Sequence, residues 1–122
     1  MSEIVGRLGV ALVFLLVLLP GSLAQAVSTS PNAILTNPDR FDGQAVTLTG
    51  TMTNLRERVS GAGNPYYTFD LSDGTRAIRV FSFGQAPCKS GQVTVDGTFQ
   101  AVKRQGRYTF HNEVTATKVT CS

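Results

Sequence analysis

The sequence predicts a small all-β domain, a closed five-stranded barrel with one short N-terminal helix, behind an export leader. Three observations carry this. From Val46 onward apolar residues recur at every second position, in segments separated by Gly, Asp and Asn. Asp73-Gly74 joins two such segments and is a hairpin signal. The segments number five in a short chain, and closing a sheet on itself is the economical way to remove exposed edges.

The leader comes first. Leu8 to Leu19 is an apolar run, followed by Pro20-Gly21-Ser22 and the small-residue exit Ala24-Gln25-Ala26. This is the pattern of a signal peptide cleaved after Ala26, leaving a domain of residues 27–122. The run is shorter than the roughly 20 apolar residues that cross a bilayer, so no stable membrane span is expected after cleavage. The positive end is thin, Arg7 and the α-amine against Glu3, which keeps an uncleaved anchor as the alternative. The expected location is periplasmic or secreted. Cleavage removes Arg7 and Glu3 together and leaves the formal net charge of +3 unchanged. That mild excess has no Lys/Arg run of the kind that marks a nucleic-acid tail.

Ser30-Pro31 opens a short helix, with Ser as N-cap and Pro at the first helical position, and Asn37-Pro38 stops it. Asp42-Gly43 is a turn. The first strand holds Val46, Leu48, Gly50 and Met52 alternating with threonines, and the polar stretch from Asn54 to Asn64 reads as a loop. Tyr67, Phe69 and Leu71 give the second strand and Ile78 and Val80 the third. Ser82 to Ser90, with Gly84 and Pro87, leaves no room for a long helix. Val93, Val95 and Phe99 mark the fourth strand, where Gly97 implies a bulge or sharp bend. After the turn Arg104-Gln105-Gly106-Arg107, the fifth strand runs through Tyr108, Phe110, Val114, Ala116 and Val119, with a slip of register near Thr117.

Cys88 and Cys121 are the only cysteines. In an exported chain an even pair reads as a disulfide, and a loop of this length gives about 3–4 kcal/mol of stabilisation. A redox site would want C-x-x-C and a zinc site four ligands, whereas the chain offers two Cys and one His. If the fifth strand lies beside the third in parallel, the bridge would lock the barrel seam.

Phe41-Asp42-Gly43-Gln44-Ala45-Val46-Thr47-Leu48-Thr49-Gly50 resembles the first-strand signature of bacterial OB-fold proteins of the tRNA-anticodon-binding-like group. Tyr67 to Asp73 is similar to their second strand, Gly91 to Gly97 to the fourth and Asn112 to Ala116 to the fifth. The resemblance covers about residues 31–120. It implies a binding module for nucleic acid, oligosaccharide or protein, on a fold that hosts many functions. The chain departs from the pattern between its third and fourth strands, where many such barrels carry a helix; the N-terminal helix is left to close the bottom.

In this fold the binding face lies over the second and third strands, between the loops that join strands one–two and four–five. Alternation puts Tyr66, Thr68 and Asp70, with Ala77, Arg79 and Phe81, on that face. Arg56 and Arg58 flank it on one side, and Lys103, Arg104 and Arg107 on the other. Rings interleaved with cations suit base stacking with phosphate attraction; the plain alternative is rings that cover a sheet face and solvated arginines. His111 reads as an outward strand residue, since a haem-attaching histidine belongs to a different C-terminal motif. Asp70, Asp73, Arg76 and Arg79 do not make a complete nuclease set, because Asp73 already serves a turn. No nucleophile–base pair appears, so the expectation is a non-enzyme with no metal and no cofactor. The expected partner is a single-stranded nucleic acid or other anionic polymer across the strand 2–3 face. The alternative is a protein-interaction or structural module of the cell envelope, because export counts against genomic nucleic acid.

Overall fold

A computed structural model describes residues 25–122, and the predicted leader lies outside them apart from Gln25 and Ala26. In chain order the elements are strand β1 (Val27–Ser28), helices α1 (Pro31–Thr36) and α2 (Pro38–Phe41), and strands β2 (Ala45–Val59), β3 (Pro65–Ser72), β4 (Ala77–Phe83), β5 (Gly91–Gln105) and β6 (Tyr108–Cys121). The five predicted strands are β2 to β6. The sheet runs β1-β2-β3-β4-β6-β5, and β5 returns to β2, so the barrel is closed. Its seam is parallel, with Arg79, Val80 and Phe81 of β4 beside Glu113, Val114 and Thr115 of β6.

Alternation sets the core. Val46, Leu48 and Met52 of β2, Tyr67, Phe69 and Leu71 of β3, Ile78 and Val80 of β4, and Val93, Val95 and Phe99 of β5 are all buried, as period two requires. Ile34 of α1 is fully buried among them, so the helix does plug one end. Ser30 caps α1, its Oγ accepting from Ala33 N–H at 3.1 Å. Asn37-Pro38 does more than stop it: Pro38 takes the first position of a further helical turn, α2.

β5 and β6 bend where predicted. A Cβ at Gly97 would collide with the Thr115 carbonyl and the Ala116 Cα of β6. Gly97 faces Ala116 and Asp96 faces Lys118, which leaves Thr117 as the extra residue of a bulge. In β2 the bend falls between Thr53 and Arg56, with Asn54 at φ 55°. This corrects the loop expected from Asn54 to Asn64. Past the bulge the backbone resumes pairing with β3 through Val59, although Arg56, Glu57 and Arg58 are charged and Val59 is exposed, and the true connection is residues 60–64. Arg56 and Arg58 are therefore strand residues.

Cys88 follows β4, Cys121 ends β6, and the two are bonded with their Cα atoms 6.1 Å apart. The bridge closes the β4–β6 seam. Such a bond belongs to oxidising compartments. Among the described residues no helix is long and apolar enough to cross a membrane.

Candidate functional site

β3 and β4 pair Tyr66 with Phe83, Thr68 with Phe81 and Asp70 with Arg79, and directly paired residues share a face. That face is the outer one, as alternation predicted. Its rings interlock. Tyr66 stacks on Phe81 at 5.4 Å between centroids, and Phe83 meets Phe81 edge-on at 5.0 Å. Lys103 Nζ covers the same Phe81 ring at 4.1 Å from its centroid. Phe81 is consequently only 9% exposed. It was expected to be an open contact residue; it is the floor on which the others rest. Phe83 stands open at 67% and takes the place expected for Phe81.

Beneath the cations lies Glu113, 1% exposed. Its Oε2 accepts from Arg79 Nε and its Oε1 from Lys103 Nζ, both at 2.7 Å. A buried carboxylate is costly unless paired and hydrogen-bonded, and here both oxygens are occupied. One negative charge is held between two positive ones, so the floor keeps a surplus of one positive charge.

Above this floor opens a cleft of about 710 Å³, walled by Tyr66, Phe83, Tyr108, Phe110, Arg79 and Arg107. The β5–β6 hairpin supplies one wall and Ser60-Gly61, between β2 and β3, touches the rim. Arg107 lies 5.7 Å from the Tyr108 ring centroid. A smaller hollow of about 300 Å³ beside the cleft is lined by Asn54, Arg56, Asp70 and Arg79. Asn54 Nδ2 donates to Asp70 there at 2.8 Å. A third hollow, of about 430 Å³, contains Arg104 with Phe83, Lys103 and Thr115.

The structure thus brings Tyr66, Arg79, Phe81 and Arg107 together, with Arg56 and Arg104 in the flanking hollows. Arg58 faces Tyr66 across the β2–β3 pair but lines none of the three spaces. Glu57, between Arg56 and Arg58 in sequence, pairs with Lys89 at 2.7 Å. Sequence reasoning missed Phe83, Tyr108 and Phe110 as wall residues and Glu113 as the anchor of Arg79 and Lys103. Phe81-Ser82-Phe83 does carry a period-two signal for Phe83; nothing in the sequence singles out Glu113. His111 is exposed. Asp73 belongs to a turn, its Oδ1 accepting from Thr75 N–H at 2.8 Å and Arg76 N–H at 2.9 Å. Its Oδ2 accepts from Asn32 N–H at 2.9 Å, which ties α1 to the β3–β4 turn. Those amides, Arg76 first and then Asn32 and Thr75, hold its carboxyl below the usual range. Among the described residues no group of three His, Cys, Asp or Glu is placed to hold a metal.

No family model and no curated relative matches the chain. Solved structures do resemble it. RecG bound to a three-way DNA junction matches with a TM-score of 0.53 at 21% identity, over 80% of this chain and 13% of that one. The OB domain of a Thermoplasma acidophilum protein, determined in solution, matches with a TM-score of 0.48 at 21% identity, over 78% of this chain and 86% of that one. The chain therefore spans only a small part of RecG, and likeness at this identity concerns the fold. Together with the closed β1-β2-β3-β4-β6-β5 order, it places the chain among all-β barrels of the OB fold.

Proposed function

We propose that this chain is an exported binding module, not an enzyme, that engages a single-stranded nucleic acid or other anionic polymer across the β3–β4 face. One observation carries the reading: a cleft walled by aromatic rings whose charged floor retains a surplus of positive charge. Rings offer flat faces to bases in any sequence, and cations attract the backbone. Export is supported by the apolar leader with its Ala24-Gln25-Ala26 exit and by the disulfide.

A second reading has its own support. Phe83 and the 59% exposed Tyr108 make the cleft walls apolar enough for an envelope protein to dock. Salt separates the two. A fluorescent oligodeoxythymidine titrated against the domain of residues 27–122 should bind, and its affinity should fall steeply as salt rises. Arg107→Ala should lower the slope by about one unit. Failure to bind at low salt, or affinity indifferent to salt, would remove the polyanion reading and leave the protein-docking one.

A further inference from the structure

The cations of the cleft are not equivalent. Lys103 gives its ammonium to Glu113 and lies against Phe81, with its side chain 14% exposed. Arg79 gives Glu113 only its Nε and keeps 45% of its side chain exposed. A guanidinium carries five N–H donors in one rigid plane. With Nε taken, the two terminal amino groups have no hydrogen-bond partner among the described residues, and the Nε–Oε2 bond sets the plane in which they lie. Phe110 bounds that plane, its ring centroid 5.5 Å from the guanidinium carbon. Arg79 also lines both the cleft and the smaller hollow that contains Arg56, so it stands where the two spaces meet. Each Glu113 oxygen already accepts one hydrogen bond, and Asp70, the cross-strand neighbour of Arg79, accepts from Asn54 Nδ2 rather than from the guanidinium.

We infer that the terminal amino groups of Arg79 form a dedicated seat for one phosphate group of the ligand, and that Glu113 is the positioning residue that aims them. The inference rests on the anionic-polymer reading and names the contact within it. A planar pair of N–H donors matches two oxygens of a phosphate or a carboxylate. The rings beside Arg79 favour a phosphate joined to a flat group, as in a nucleotide.

The seat makes a prediction opposite in sign to diffuse attraction. Glu113→Gln raises the net charge by one, so attraction by charge alone would strengthen oligodeoxythymidine binding and steepen its salt slope. An aimed seat instead loses its orientation, and binding weakens by about tenfold, the usual worth of one charge-assisted contact. Arg79→Lys keeps the charge and removes the planar pair; it should weaken binding by about as much. The direct probe is phenyl phosphate, followed through the Arg79 Nε–H resonance, with benzoate as the carboxylate control.

Phenyl phosphate should shift that resonance in the wild type, and the lysine variant should lose about tenfold in phenyl phosphate affinity. Tighter binding in a folded Glu113→Gln protein, or undiminished binding in Arg79→Lys, overturns the seat. Should the glutamine variant fail to melt cooperatively, Arg79→Lys and the resonance decide alone. Oligodeoxythymidine binding with no Arg79 response to phenyl phosphate also overturns the seat, while the polymer reading stands. A phenyl phosphate response without oligonucleotide binding does the reverse. Equal response to benzoate overturns the assignment to phosphate.

Discussion

Two carboxylates show how differently two regions of this barrel are held. Where α1 meets the β3–β4 turn, Asp73 accepts from three backbone amides, of Asn32, Thr75 and Arg76. In the cleft, Glu113 accepts from two side-chain cations delivered by β4 and β5. Asp73 fastens backbone to backbone and, among the described residues, draws on no side-chain cation. Glu113 gathers two side-chain cations and leaves one positive charge over. The first arrangement builds a corner, and the second builds a surface that can receive something.

That contrast can be broken at either carboxylate. Glu113→Ala leaves two cations facing a buried gap and should lower the unfolding free energy by about 3–5 kcal/mol, toward the lower figure because Arg79 is half exposed. Urea unfolding measures it, and a loss within experimental error would mean that solvent already screens the triad. Replacing Cys88 and Cys121 by Ser releases the seam beside the cleft and should cost about 3–4 kcal/mol. Amide exchange should then quicken in β4 and β6 well before it does around Asp73; uniform quickening would show that the two regions open as one.

Phe83→Ala sharpens the comparison from the ligand side. The ring is exposed, so stability should change by less than about 0.5 kcal/mol. Affinity for oligodeoxythymidine should fall by about 1–3 kcal/mol if the ring stacks on a base. Phe81→Ala should behave in the opposite way, with a stability loss dominant, because that ring is covered.

The smallest effect belongs to the corner. Asp73 has a depressed folded-state pKa, so its contribution is complete above the unfolded carboxylate pKa of about 3.9 and fades as pH falls through the lower folded value. Asp73→Ala should lower the melting temperature slightly at neutral pH, and the gap to wild type should narrow in strong acid. A gap that widens on acidification would place the shift elsewhere.

Much of the barrel is legible because strand burial has a period of two and the closest approach of two strands, at Gly97, needs a glycine; the β2 bend at Asn54 carries no such mark. Gly97 and the slip at Thr117 were readable for that reason: the first permits two strands to touch, and the second restores the apolar face afterwards. The stretch that holds Arg56 and Arg58 lacks alternation and so reads as a loop, yet strand pairing beyond a bulge needs only backbone. Phe81 kept its predicted face and lost its predicted exposure, since burial there comes from Tyr66, Phe83 and Lys103 rather than from strand parity. Glu113 was invisible in the sequence. Its cations sit 34 and 10 residues away, and only the seam and the β5–β6 hairpin bring them together.

The seam also sets an order of assembly. β2 and β5 are joined by Thr47 and Asp96, 49 residues apart, and β4 finds its parallel neighbour only when β6 docks. Contacts this distant in sequence close slowly, and until they do the edges of β4 and β5 remain open to other chains. Cys121 is the last residue of β6, so its thiol reaches Cys88 once that final strand is home. The bridge thus offers a covalent readout of assembly: if strand docking brings the thiols together, loss of free thiols during oxidative refolding should keep pace with barrel closure, and earlier loss would show that the bond precedes it.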